Sequence, residues 1–240
     1  MTNGGQRVAI VTGASRGIGA EIARQFAGAG YAVCINYLKS EAEALKIAAE
    51  TGGFPFRADV SDYTQSAEMV ERVMREYGRI DVLVNNAGVA CFGLFHDIPE
   101  ETADRVFDVN VKGTLNCSKA VLPHMLRVHS GAVINISSIW GVTGASCEVH
   151  YSASKAAVIG FTKALAKEAA PSGIRVNCIA PGVIDTEMNG RLSFEEAEQL
   201  QAEIPLGRFG TCAEVAETAL FLADSAGFIT GQVIGVNGGA

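Results

Sequence analysis

Short runs of apolar, β-favouring residues alternate with longer helical stretches along the whole chain, and no other feature constrains the fold as much. Val8-Ala9-Ile10-Val11 is apolar at every position, the pattern of a strand covered on both faces. Gly17 to Ala29 then reads as a helix, with Ile18, Ile22 and Phe26 spaced by four on one stripe. Strands are expected at Ala32 to Ile35, Phe54 to Arg57, Ile80 to Val84, Ala132 to Ile136, Ile174 to Ile179 and Gln232 to Val236. Helices are expected at Glu41 to Glu50, up to Tyr77 from an N-cap at Ser61, about Pro99 to Val128, Tyr151 to Ala169, Ser193 to Ala202 and Ala213 to Ala223. Strands that each lead into a helix pair in parallel, with the helices crossing over on both faces. The fold class is therefore α/β, a doubly wound parallel sheet. No proline- or serine-rich linker breaks the rhythm, so residues 1–240 are expected to form a single domain.

Composition narrows the function classes. Apolar residues are 48% and charged residues 19%, enough to fill a core and too apolar for a disordered chain. No run of about 18 apolar residues is present, and residues 1–7 lack an apolar signal core, so a cytoplasmic protein with no membrane role is expected. A net charge of -7 disfavours nucleic acid or an anionic membrane as the main partner, though not a small anionic ligand. The six cysteines form no Cys-x-x-Cys pair, and His96, His124, His129 and His150 are scattered, so reduced thiols and no metal site are expected. Glycine is in excess, 27 of 240 residues, as in chains that bring backbone close to a ligand.

In such a sheet ligands bind beyond the carboxyl ends of the strands, where strand order reverses. After the first strand comes Thr12-Gly13-Ala14-Ser15-Arg16-Gly17-Ile18-Gly19. Gly13 permits a tight turn, Gly17 lets a diphosphate approach the backbone, and Gly19 lets the helix pack on the strand. The free N–H groups at the helix start then face phosphate. The spacing differs from Gly-x-Gly-x-x-Gly and lacks the Lys-Ser/Thr ending of a P-loop; a purely structural turn is the alternative. Dinucleotide sites that hold the adenosine ribose hydroxyls end their second strand with Asp or Glu. Here that place reads Asn36-Tyr37-Leu38-Lys39-Ser40. A 2′-phosphate would meet no repulsion, and Arg16 and Lys39 are candidates to pair with it, so NADP(H) is expected rather than NAD(H). The plainer alternative leaves both as solvated charges.

Tyr151 and Lys155 lie four apart on a helix and share a face. A tyrosine with pKa of about 10 is a poor acid–base catalyst at neutral pH. A neighbouring ammonium lowers that value, so the phenol can exchange a proton with a carbonyl or alcohol oxygen. Alone this spacing is common on helix surfaces. Its context is not: Ser137-Ser138 follows the fifth strand, Asn85-Asn86-Ala87-Gly88 the fourth, and Pro181-Gly182-Val183-Ile184-Asp185-Thr186 the sixth.

On these residues, in this order, the chain resembles the short-chain dehydrogenase/reductase family, and the likeness runs from Val8 to Gly239. The resemblance implies a Rossmann fold with hydride transfer between a nicotinamide and a carbonyl carbon. It implies Tyr151 as general acid/base, Lys155 on the nicotinamide ribose and lowering the tyrosine pKa, and Ser138 on the substrate carbonyl. Asn110 would kink a helix and support a water-linked proton relay. Asp59 and Val60 would hold the adenine, Asn86, Ala87 and Gly88 would line the cofactor, and Pro181, Gly182, Ile184 and Thr186 would close over the nicotinamide. Gly13, Ser15, Arg16, Gly17, Ile18 and Gly19 with Asn36, Tyr37 and Lys39 complete the expected cofactor set.

Within the family, Ile174-Arg175-Val176-Asn177-Cys178-Ile179-Ala180-Pro181-Gly182 resembles the bacterial 3-oxoacyl-[acyl-carrier-protein] reductases of fatty acid biosynthesis, usually homotetramers. That implies a ketone on acyl carrier protein. The carrier is acidic; Arg127 and His129 lie where one docking arginine is expected, while Ser172 stands where the other would be. Gly144-Ala145-Ser146-Cys147-Glu148-Val149 is instead similar to reductases of a 5-aminopentanone group on elongation factor P, where Glu148 would meet the amine; a solvent-facing carboxylate is the alternative. Trp140, Phe92, Phe95 and the stretch Met188 to Ala202 are candidate substrate walls or a lid. The chain ends at Gly238-Gly239-Ala240, but it keeps Val236-Asn237-Gly238-Gly239, so association is expected to survive. Two further readings remain: an alcohol-oxidising dehydrogenase, and a non-catalytic cofactor-sensing regulator. Regulators of this kind usually lose the tyrosine or lysine, and both are kept here.

Overall fold

The computed structural model describes residues 5–186 and 194–240. The elements run β1 (Val8–Val11), α1 (Gly17–Gly28), β2 (Ala32–Tyr37), α2 (Glu41–Thr51), β3 (Phe54–Arg57), α3 (Tyr63–Tyr77), β4 (Val82–Asn85), α4 (Glu100–Phe107), α5 (Gly113–Val128) and β5 (Gly131–Ile136). Then follow α6 (Trp140–Thr143), α7 (Val149–Ala169), β6 (Ile174–Pro181), α8 (Phe194–Ala202), α9 (Cys212–Asp224) and β7 (Val233–Val236). The strands form one parallel sheet in the order β3-β2-β1-β4-β5-β6-β7. The expected doubly wound α/β fold is therefore present. The order reverses between β1 and β4, which opens a crevice beyond the carboxyl ends of those two strands.

Alternation along each strand builds two cores from one sheet. Ala9 and Val11 of β1 face Ile22 and Phe26 of α1, Ile47 of α2, and Val215 and Leu222 of α9. Val8 and Ile10 point the other way, to the layer of Met69 and Val73 from α3, Val121 and Met125 from α5, and Leu165 from α7. This is why β1, β2 and β4 are buried at every position: neither of their faces meets water.

Two local expectations are corrected. The cap of α3 is Asp62 rather than Ser61: the Asp62 carboxylate accepts from the backbone N–H of Thr64 (2.8 Å) and Gln65 (3.4 Å). A carboxylate also gains from the positive end of the helix, and Ser61 is taken by Asp59, to which its hydroxyl donates at 2.6 Å. The long helix expected from Pro99 to Val128 is not continuous. Asp108–Lys112 widens into a π turn between α4 and α5. There Asn110 leaves the helix wall for the loop after β4: its Oδ1 accepts from Val89 N (2.8 Å), and its Nδ2 donates to Val89 O (2.9 Å) and Ser154 Oγ (2.9 Å). Such insertions commonly mark functional positions.

Candidate active site

The glycine turn is pressed against the strand beside it. Gly13 and Gly17 have left-handed φ values of +62° and +55°, which favour glycine. A Cβ on Gly13 would stand 2.9 Å from Ala87 Cα, and one on Gly19 would strike Asn86 Nδ2 and lie 2.5 Å from Gly13 O. Thr12 Oγ1 accepts from the backbone N–H of Asn86 (2.9 Å) and Ala87 (3.0 Å), while Asn86 Nδ2 donates to Thr12 O (2.9 Å) and Gly13 O (3.1 Å). The turn is thus held by the Thr12 hydroxyl and the Asn86 amide, and α1 starts beyond it with no side-chain cap and no acid in its first turn.

Asn36 and Tyr37 take other positions than a ligand-facing pair. Asn36 is buried; its Oδ1 accepts from Gly13 N (3.2 Å) and its Nδ2 donates to Ala58 O (3.1 Å) and Phe56 O (3.3 Å). Tyr37 is also buried, with its hydroxyl bonded to Glu41 (3.0 Å). An amide at this point is spent on backbone groups that the turn exposes, because buried polar groups need partners. Arg16 and Lys39 are exposed, and Ser15 and Ile18 are half-buried in the turn.

At the next strand end, burial would raise the Asp59 carboxyl, but hydrogen bonds from Ser61 and Arg105 outweigh it and hold the group below its ordinary value. Val60 is buried under Gly113, where a Cβ would come within 2.6 Å of its Cγ2. Across the crevice, Gly182 backs onto Asn237, whose Cα would stand 2.8 Å from an added Cβ. Ile184 is buried in a bridge to Gly210, and the Thr186 methyl comes 3.8 Å from a Cβ built on Gly17. Of the stretch Met188 to Ala202, residues 188–193 lie outside the described residues; Phe194–Ala202 is α8.

The groups expected to react stand between these walls. Helix α7 begins two residues before Tyr151 and carries Tyr151 and Lys155 on one face. Lys155 is buried; its Nζ donates to Ile136 O (2.9 Å) at the end of β5 and lies 5.6 Å from the centre of the Tyr151 ring. A Cβ on Gly88 would be 3.3 Å from both Lys155 Nζ and Asn110 Oδ1, so no side chain separates the lysine from the π turn. Ser137 fixes α7 to the sheet by donating to Lys155 O (2.8 Å), and Ser138 follows, almost buried, accepting from Trp140 N (3.2 Å).

Burial pushes the Tyr151 phenol up to about 12, a Ser138 hydroxyl contact opposes that rise, and the Glu148 charge adds to it. Burial also pushes Lys155 down to about 8. The expected lowering of the tyrosine is therefore not present in the protein: removing water from the phenolate dominates, and the Ser138 contact opposes it only in part. At neutral pH the phenol holds its proton and can deliver it.

The mouth of the crevice is apolar with one acid. Phe92, Phe95 and Val142 are exposed, Phe95 stacks on His150 with centroids 4.9 Å apart, and Gly93 N donates to Cys147 O (2.9 Å), joining the loop after β4 to the loop before α7. Glu148 is half-buried beside Tyr151 and Cys91, and burial raises its carboxyl.

Beneath the site lies a ladder that sequence reasoning did not single out. Asn85 donates to Ser118 Oγ (3.0 Å) and Asn135 Oδ1 (2.8 Å), and Asn135 donates to Thr162 Oγ1 (2.9 Å). Asn85 and Asn135 are directly paired across β4 and β5, so asparagines ending adjacent strands were the available signal.

Residues 13–240 match a protein family described as enoyl-(acyl carrier protein) reductase. The chain belongs to the short-chain dehydrogenase/reductase family. Among curated members of that family, the 3-oxoacyl-[acyl-carrier-protein] reductase FabG of Staphylococcus aureus (strain Mu50) is 46% identical over 237 residues, covering 96% of each chain. The FabG of Thermotoga maritima is 43% identical over 239 residues, covering 97% of each. A solved structure titled ElxO with NADP bound superimposes with a TM-score of 0.90 at 34% identity, covering 98% of each chain.

Proposed function

We propose that this short-chain dehydrogenase/reductase is a 3-oxoacyl-[acyl-carrier-protein] reductase that uses NADPH. The observation that carries the reading is the convergence of Tyr151, Ser138 and Lys155 beside the glycine turn, at the point where strand order reverses. The relatives named for that activity, at 43–46% identity over nearly the whole chain, support it.

The residues present fit the nucleotide. The glycine turn of Gly13, Gly17 and Gly19 leads into the uncapped start of α1, whose backbone N–H groups would meet the diphosphate, flanked by Ser15, Arg16 and Ile18. Asp59 and Val60 border the adenine end, Asn86, Ala87 and Gly88 the floor, and Pro181, Gly182, Ile184 and Thr186 the nicotinamide end. No carboxylate ends β2; Lys39 stands two residues beyond it and Arg16 in the glycine turn, both exposed, which suits a 2′-phosphate. The neighbouring structure titled as holding NADP supports that choice. Bound NADPH supplies a hydride to the carbonyl carbon. Tyr151 gives its proton to the carbonyl oxygen, and the Ser138 hydroxyl donates to the same oxygen as negative charge develops. The Lys155 ammonium stabilises the phenolate that Tyr151 becomes. Asn110 acts as a positioning residue that ties Val89 and Ser154 together under the site, next to the relay the family likeness implies.

The matched family's description names enoyl reduction, which adds hydrogen across C=C. Two hydroxyls addressed to one oxygen suit a ketone better. A second reading, a 5-aminopentanone carried on elongation factor P, draws on Glu148, a half-buried acid at the mouth that would pair with a substrate amine. We further propose a cytoplasmic homotetramer. Its supports are the six free cysteines, an apolar groove of Leu115, Leu122, Phe161 and Leu165 between α5 and α7, and the exposed Phe228 near β7. Among the described residues no helix is long and apolar enough to cross a membrane. Arg127 and His129 are exposed at the end of α5, where an acidic carrier could dock.

NADPH consumption with a 3-oxoacyl thioester, an enoyl thioester and a set of amino ketones separates these readings. Turnover is expected on the 3-oxoacyl thioester. Exclusive turnover of the enoyl thioester or of an amino ketone would overturn the ketoacyl assignment.

A further inference from the structure

We propose that Arg57, at the end of β3, is a third cation of the adenosine 2′-phosphate site and helps set preference for NADPH over NADH; this rests on the cofactor reading above. Strand register places Arg57 directly opposite Tyr37, so its Cα lies at the carboxyl end of β2, one residue from Leu38. The Arg57 side chain is exposed, and its Nε donates to Leu38 O at 3.2 Å. That bond holds the guanidinium against the backbone that joins Tyr37 to Lys39.

The nearby acids are otherwise engaged. Asp59, two residues on, pairs with Arg105 at 3.1 Å, and Glu41 bonds the Tyr37 hydroxyl at 3.0 Å. Among the described residues the two terminal nitrogens of Arg57 have no hydrogen-bond or ion-pair partner. An arginine anchored through Nε still presents its planar pair of N–H donors, the geometry that matches phosphate oxygens. The chain thus places a fixed fork beside the loop that lacks a ribose-binding carboxylate. The competing explanation is an ordinary solvated charge, since β3 is an edge strand and such strands often carry cations.

Fluorescence titration of the whole protein with NADPH and with NADH distinguishes the two, repeated for Arg57→Ala and Arg57→Lys. Wild type is expected to bind NADPH more tightly. Arg57→Ala is expected to weaken NADPH by about tenfold, the loss of a charge-assisted hydrogen bond, while NADH binding stays within about twofold and serves as the fold control. Arg57→Lys is expected to recover part of the loss, since it restores charge without the fork. Adenosine 2′,5′-bisphosphate should compete less well against Arg57→Ala, whereas 5′-AMP should not change. Equal weakening of both nucleotides, or no change for NADPH, would overturn the role of Arg57 and leave the NADP(H) reading intact. Wild type binding NADH as tightly as NADPH would overturn that reading, and this proposal with it.

Discussion

In the proposed reaction Lys155 and Tyr151 divide the labour of one proton. The buried lysine titrates at about 8 and the phenol at about 12, so below pH 8 an ammonium faces a protonated phenol. As pH rises through 8 the ammonium is lost first, and the phenolate formed on proton transfer then has no cation beside it. We expect kcat/KM for reduction to fall above about pH 8; a flat profile to pH 10 would remove Lys155 from this part. Ser138→Ala should lower kcat by about 10²-fold, as for loss of an oxyanion donor, with nucleotide binding unchanged by fluorescence. A loss in binding of the same size would make Ser138 a cofactor residue instead. The trio was legible in the sequence because each residue follows a strand end or shares a helix face. The phenol's direction of shift was not, because desolvation depends on what covers Tyr151, and that is set by distant chain. Asn36 was unreadable for a similar reason: nothing local shows whether an amide turns outward to a ligand or inward to Gly13.

At the scale of elements, the strand–turn–helix order identified the glycine turn, since left-handed φ values at Gly13 and Gly17 are a backbone need that glycine advertises. The π turn at Asp108–Lys112 was hidden within a continuous helical pattern, because one extra residue per turn barely disturbs periodicity. The Asp62 cap was one residue from the expected Ser61, both being good capping residues. The π turn matters because Asn110 is its link to the site. Asn110→Leu removes three hydrogen bonds to Val89 and Ser154 and is expected to lower kcat by on the order of 10²-fold while KM moves little. A kcat unchanged in a folded variant, checked by circular dichroism, would show that the loop holds its place without it.

The whole molecule is an open sheet clad on both sides, with the candidate site beyond the carboxyl ends of its strands. The class of fold was readable from pattern alone because both faces of the inner strands are dry. Association was not, because an exposed aromatic reads the same whether solvent or a neighbour lies over it. Phe228 is fully exposed close to the edge strand β7, unlike any aromatic in the core. Phe228→Glu is expected to reduce the native mass toward a smaller assembly in sedimentation equilibrium; an unchanged mass would place the subunit contact elsewhere. The proposed reaction depends on one phenolic hydroxyl, that of Tyr151. The most direct test compares NADPH-dependent reduction of a 3-oxoacyl thioester by the wild type and by Tyr151→Phe, with nucleotide binding measured on the same samples. Turnover should fall by at least about 10²-fold with binding nearly intact; a variant that still turns over near the wild-type rate would contradict it.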